Sequence, residues 1–193
     1  MSLGLKYKNE EHIFDEREVD GVPYLSFPLI EKTGIVKHGF STRLGGVSKG
    51  HCGTMNISTT RGDEPKAIEE NRRRIAKAIG VDPLDFTYTH QTHTTNVAVV
   101  EEKDRGGKFP DTDGMVTNVP GICLVTFYAD CVPLFFVDPV HRAIGLSHSG
   151  WRGTVGRMGK VTLEMMHKQY KTNPSQVFAA IGPSICQDCY EVS

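Results

Sequence analysis

A chain of 193 residues, 38% hydrophobic and 23% charged, is ordinary globular material, sized for one well-buried core rather than two comfortable domains. Its formal charge of -1 with both signs interspersed gives no sustained basic face, which argues against a nucleic-acid partner, and no apolar run nears the roughly 20 residues that span a bilayer. Five cysteines, an odd number, behind a polar N-terminus without a signal-peptide core point to reduced thiols in a cytoplasmic protein whose oligomeric state stays open.

In chain order, the acidic cluster of Glu10, Glu11, Asp15 and Glu16 reads as a solvated segment. "STRLGGVSKGHCG", from Ser41 to Gly53, is a loop long enough to carry a site. Its Arg43 guanidinium, the glycines Gly45 and Gly46, and the hydroxyls of Ser41 and Ser48 suit a tetrahedral oxyanion. A flexible glycine-rich turn is an equal alternative, and the Gly-Lys-Ser/Thr ending of a P-loop is absent. "GDEPKAIEENRRRIAKAIG" is the clearest helix: Asp63 is its expected cap, Pro65 suits the first turn, Ile68, Ile75 and Ile79 share a face, and Gly80 stops it.

Short β-type runs follow at Asn96–Glu101, Thr112–Thr117, Ile122–Tyr128, Val132–Val137, Arg142–Ser147 and Val177–Ile181, set off by turn residues. A second helix is expected after "GWRG", its stripe running through Val155, Met158, Thr162, Met165 and Gln169 to Tyr170. Helices flank a strand-rich middle without regular βαβ alternation, so the expected class is α+β, a layered sandwich with mixed β-sheets.

Three residues with metal-ligand chemistry sit at or near strand ends. Cys131 heads the run "ADCVPLFF", and His148 leaves the run Ile144–Leu146 into a glycine-flanked turn in "IGLSHSGWRG". A turn at Asp138 and Pro139 makes a hairpin that brings these two ends together. His93, in "THQTHTTNV", precedes another strand in the same manner. Two imidazoles and a thiolate leave a fourth tetrahedral position open, as catalytic zinc requires. No fixed ligand spacing enforces the set, so a buried Cys131 and a hydrogen-bonded turn His148 are the plain alternative. Asp130 beside Cys131 is a candidate for orienting a ligand or shuttling a proton, against a turn-capping role. "CQDC", Cys186 to Cys189, has metal-like or redox-like spacing but no second pair. His141 reads as a solvated turn residue.

Taken together, "HGFSTRLGGVSKG", "QTHTTNV", "TDGMVTN", "ADCVPLFFVDP", "GLSHSGWRGT" and "AAIGPSI…CYEV" resemble the laccase-domain family. Its members were described first as multicopper polyphenol oxidoreductases, later as zinc-dependent purine nucleoside phosphorylases that also deaminate adenosine. The resemblance runs from about His38 onward. It implies an α+β sandwich, a zinc set of His93, Cys131 and His148 that also serves catalysis, and a site for purine nucleoside and phosphate near Arg43 and Asn56. Copper is the alternative metal, with polyphenol oxidation as the alternative activity; a non-catalytic module with a closed four-ligand metal site, Cys189 included, is a third reading. "CQDCYEV" departs from the family's Gly-Pro-Cys-Cys form, and the family usually continues past this point. Residues 1–193 are therefore expected to be one laccase-like domain lacking the family's C-terminal portion.

Overall fold

The computed structural model describes residues 3–4 and 12–191; Glu10 and Glu11 of the acidic cluster lie outside the described residues. The chain divides into two compact units, Met1–Pro83 and Leu84–Ser193.

The first unit opens on a hairpin of β1, Asp15–Val19, and β2, Val22–Ser26, paired antiparallel from Val19↔Val22 to Asp15↔Ser26. Asp20 and Gly21 make the turn at φ 50° and 74°, the two positive values that a type I′ connection demands. Sequence patterning left this hairpin unassigned, because β1 is one exposed charged strand with no apolar alternation. After a single helical turn α1, Pro28–Glu31, the short strand β3, Phe40–Ser41, adds to β2. Helix α2, Pro65–Ile79, begins on its proline, buries Ile68, Ile75 and Ala76, and ends where Gly80 takes φ 80°. The cap differs from expectation. Glu64 holds the N-cap position without a side-chain bond, and Asp63 instead accepts from Ser48 Oγ at 2.6 Å and Asn56 Nδ2 at 2.9 Å.

The second unit is layered. Its five-stranded sheet has the order β11-β9-β10-β7-β5, from β5, Val97–Val99; β7, Gly114–Thr117; β9, Val132–Asp138; β10, Ala143–Ser149; and β11, Phe178–Ile181. All pairings are antiparallel except β5 with β7. A smaller parallel sheet sets β4, Phe86–Thr89, between β6, Lys108–Phe109, and β8, Cys123–Val125. Val100, Met115, Ile122 and Leu124 fill the space between the sheets, with Ile144 and Leu146 packed on them. On the opposite face, Val116, Phe136 and Ala143 meet Met166 of α4, Met158–Tyr170. Strand β10 therefore alternates Ile144 and Leu146 toward one layer with Ala143 and Gly145 toward the other, the period-two pattern of a sheet covered on both sides. A Cβ at Gly145 would stand 3.1 Å from both Met166 Sδ and Thr162 Cγ2, so helix and sheet approach through that glycine.

The α+β class is as the sequence implies. The second helix differs in detail: it begins at Trp151 as a short α3, Trp151–Val155, and breaks where Arg157 adopts φ 59° before α4 starts. The buried stripe is Met158, Thr162 and Met166, a strict i, i+4 series; Val155, expected in it, is 76% exposed. Among the described residues no helix is long and apolar enough to cross a membrane.

Candidate metal centre

β9 and β10 form the hairpin that the turn at Asp138 implies, pairing Ser149↔Val132 and His148↔Pro133 at its far end. Cys131 precedes β9 by one residue. His148 lies within β10 rather than in a turn beyond it, and it is buried. The segment 90–96 carries His93 to the same place: Cys131 Sγ stands 3.9 Å from His93 Nε2, and the two imidazoles meet edge to face with centroids 4.9 Å apart. One ligand atom from each of His93, Cys131 and His148 lies within 4.8 Å of the others. Ligands of a tetrahedral zinc, bound at about 2.0–2.3 Å, stand about 3.5 Å apart, so small side-chain movements close the set around an ion. Space is reserved there by Gly150, where a Cβ would lie 3.0 Å from His93 Cδ2 and 3.1 Å from Cys131 Sγ.

Sequence reasoning missed the group that organises this centre. Asp113 is fully buried. Its Oδ1 accepts from His148 Nδ1 at 2.8 Å and from the His93 N–H at 3.1 Å; its Oδ2 accepts from the N–H groups of Thr92 and Thr94 and from Thr94 Oγ1. Its own carbonyl accepts the His148 N–H at 2.7 Å. Burial pushes the Asp113 carboxyl up, but the bonds from His148 and Thr94 outweigh it and hold the pKa well below the ordinary carboxylate range. An ionised Asp113 accepts only, so Nδ1 of His148 carries its proton and Nε2 presents a lone pair, the carboxylate–histidine arrangement that supports metal ligands. The same carboxylate wraps the loop that bears His93, whose φ of 63° is rare for a non-glycine residue. An acid directly before a glycine in "TDGMVTN" was the available signal; Gly114 has no room for a side chain, since a Cβ would meet Ser147 Oγ at 2.6 Å.

Gln91 supplies a second tie. Its Nε2 donates to Phe127 O at 2.7 Å and its Oε1 accepts the Phe127 N–H at 2.8 Å, joining the segment before His93 to the one before Cys131. Burial, then the charges of Asp130 and Asp113, raise the Cys131 pKa, so without a cation this residue is a thiol. Asp130 is exposed, and its carbonyl accepts the Ile185 N–H at 2.9 Å.

Arg43 and Asn56 belong to the first unit. The exposed Arg43 guanidinium donates from Nη2 to Gly53 O at 3.2 Å. Asn56 donates to Asp63 and to Ser58 O and accepts the Ser58 N–H. Buried Asn71 of α2 fastens this loop, accepting from Val47 N–H at 2.8 Å and donating to Ser48 Oγ, Thr54 O and Asn56 O. Gly46 is required by close packing, because a Cβ would fall 2.1 Å from Thr54 O. Cys186 and Cys189 lie outside the three-ligand group, contrary to a closed site that includes Cys189. His141 is no simple solvated residue, since its Nδ1 pairs with buried Asp138 at 2.8 Å.

The family described as multi-copper polyphenol oxidoreductase laccase matches residues 37–193. The chain belongs to that family. It is 41% identical over 172 residues to a protein of Deinococcus radiodurans named purine nucleoside phosphorylase, covering 89% of this chain and 64% of that one. It is 38% identical over 161 residues to adenosine deaminase RL5 from an unknown prokaryotic organism, covering 79% and 61%. The crystal structure of YlmD from Geobacillus stearothermophilus superposes with a TM-score of 0.82 at 31% identity, over 92% of this chain and 67% of that one. This laccase-family chain thus spans less than two thirds of the length of those two curated relatives.

Proposed function

We propose that the chain carries the metal centre of a zinc-dependent purine nucleoside phosphorylase, with adenosine deamination as a second activity of the same centre. The observation that carries this reading is the group of His93, Cys131 and His148 held by buried Asp113 in a chain whose relatives are named for those two activities. In phosphorolysis, phosphate attacks C1′ of the ribose while the purine departs. Arg43, a planar fork on an exposed loop, is the proposed phosphate ligand, a role lysine does not replace. Asp130 is the proposed proton shuttle to the departing purine nitrogen. His93, Cys131 and His148 would hold zinc, with Asp113 fixing the His148 tautomer. When bound, zinc supplies Lewis acidity, which serves both departure of the purine and attack of water at C6.

Copper-dependent phenol oxidation is the reading that the family's description suggests. Several coppers need several imidazole-rich groups, and the described residues hold one group of three ligands. Phosphate-dependent release of purine base from inosine and adenosine tests the proposal, with Arg43→Ala beside the unaltered chain. The variant is expected to raise the KM for phosphate far more than that for nucleoside. Purine release that ignores phosphate, or an unchanged phosphate KM in the variant, contradicts it.

A further inference from the structure

Cys186 and Cys189 take no part in the metal group, yet the fold brings them together. Past β11 the chain continues beside the segment that bears Cys131: the Gly182 N–H donates to Pro133 O and the Ile185 N–H to Asp130 O, both at 2.9 Å. Anchored there, the chain enters a single 3-10 turn, Gln187–Cys189, with the Cys189 N–H on Cys186 O at 3.1 Å. Cys186 stands at the N-cap of this turn and Cys189 at its end, and their thiols lie within hydrogen-bonding reach of each other. Both are exposed and neither is in a disulfide. Metal binding by this pair would need further protein ligands, and no other member of a three-ligand group lies with them among the described residues.

The geometry points to Cys186 and Cys189 as a redox-active dithiol that exchanges with low-molecular-weight disulfides. Cys186 attacks and Cys189 resolves. The division of roles follows from their places in the turn: Cys186 is its N-cap and Cys189 its last residue, so the Cys189 thiol, and after it the N–H groups of the turn, lie against Cys186 and lower its pKa. The remaining thiols are shifted up mainly by burial, Cys123 to about 12. Of the five cysteines, Cys186 is the one whose thiolate the fold favours, and the thiolate is the nucleophile.

In the first step Cys186 Sγ attacks one sulfur of RSSR, forming Cys186–S–SR, and the other sulfur leaves as RS⁻, which takes up the proton Cys186 gave. In the second, Cys189 gives up its proton and attacks Cys186 Sγ, the internal S–S bond forms, and the second RS⁻ leaves with that proton. Two protein thiols are oxidised and one RSSR is reduced to two RSH.

Oxidised glutathione is the probe, with the modified cysteines mapped by mass spectrometry after timed exposure. The unaltered chain is expected to form the Cys186–Cys189 disulfide and to retain no glutathione on either residue. Cys189→Ser should hold one glutathione at Cys186, and Cys186→Ser should be modified at Cys189 at least about tenfold more slowly. Both positions are exposed, so neither serine disturbs a core. Stable glutathione adducts on the unaltered chain without an internal disulfide, or equal rates in the two variants, overturn the assignment.

Discussion

Gly150 and Cys131 show how single residues decide this centre. Glycine at 150 has an ordinary extended backbone, φ -69° and ψ 179°, so the chain does not require it for conformation. What requires it is space, because any side chain there would stand among His93, Cys131 and His148. Cys131 answers why a reactive group heads a strand that packing would fill with Val or Ile: its sulfur faces two imidazoles rather than a core. A coordinated thiolate is shielded from alkylation. Mass mapping of alkylated cysteines should therefore show Cys131 protected in zinc-loaded protein and labelled after chelation. Cys123, whose pKa burial pushes up to about 12, should stay slow in both states. Equal labelling of Cys131 with and without chelator would return it to the role of a small buried sulfur.

At the scale of elements, three separate segments must converge, and each is held by a bond the sequence does not advertise. The β9–β10 hairpin brings Cys131 and His148 together, and this much was legible: two apolar runs, a turn between them, and reactive residues at the open end. The approach of His93 was legible only by resemblance, since its segment is not a strand at that point. Asp113 fixes it by accepting three consecutive N–H groups from residues 92–94 while also holding His148. Contacts between residues 15 or more apart leave no periodic trace, which is why Asp113, Gln91 and Asn71 escaped a reading built on patterning. Partners of this kind that orient metal-bound histidines typically cost 10–100-fold in metal affinity when altered. Asp113→Asn keeps the shape and removes the charge. Chelator competition should show its zinc affinity reduced by about that factor, and an affinity equal to that of the unaltered chain would mean that Asp113 merely fills the core.

Across the whole molecule, the sequence conveyed the second unit far better than the first. All six expected β-type runs contain observed strands, although buried β2 and β4, their apolar runs interrupted by Pro23 and by Thr87, were not among them. Charged β1, two-residue β3 and short β6 carry no such signal; their strand geometry comes from the partners they pair with. The loop 41–53 was legible as glycine-rich, but composition could not show that Asn71 pins it to α2 or that Gly46 serves close backbone packing. The claim on which the rest depends is that His93, Cys131 and His148 hold one zinc. Metal analysis of protein expressed without added metal tests it most directly, on the unaltered chain, on Cys131→Ser and on Gly150→Ala, with far-UV circular dichroism to confirm that each variant is folded. One zinc is expected per unaltered chain, and its loss from both folded variants. Full zinc retained in folded Cys131→Ser and Gly150→Ala would contradict it.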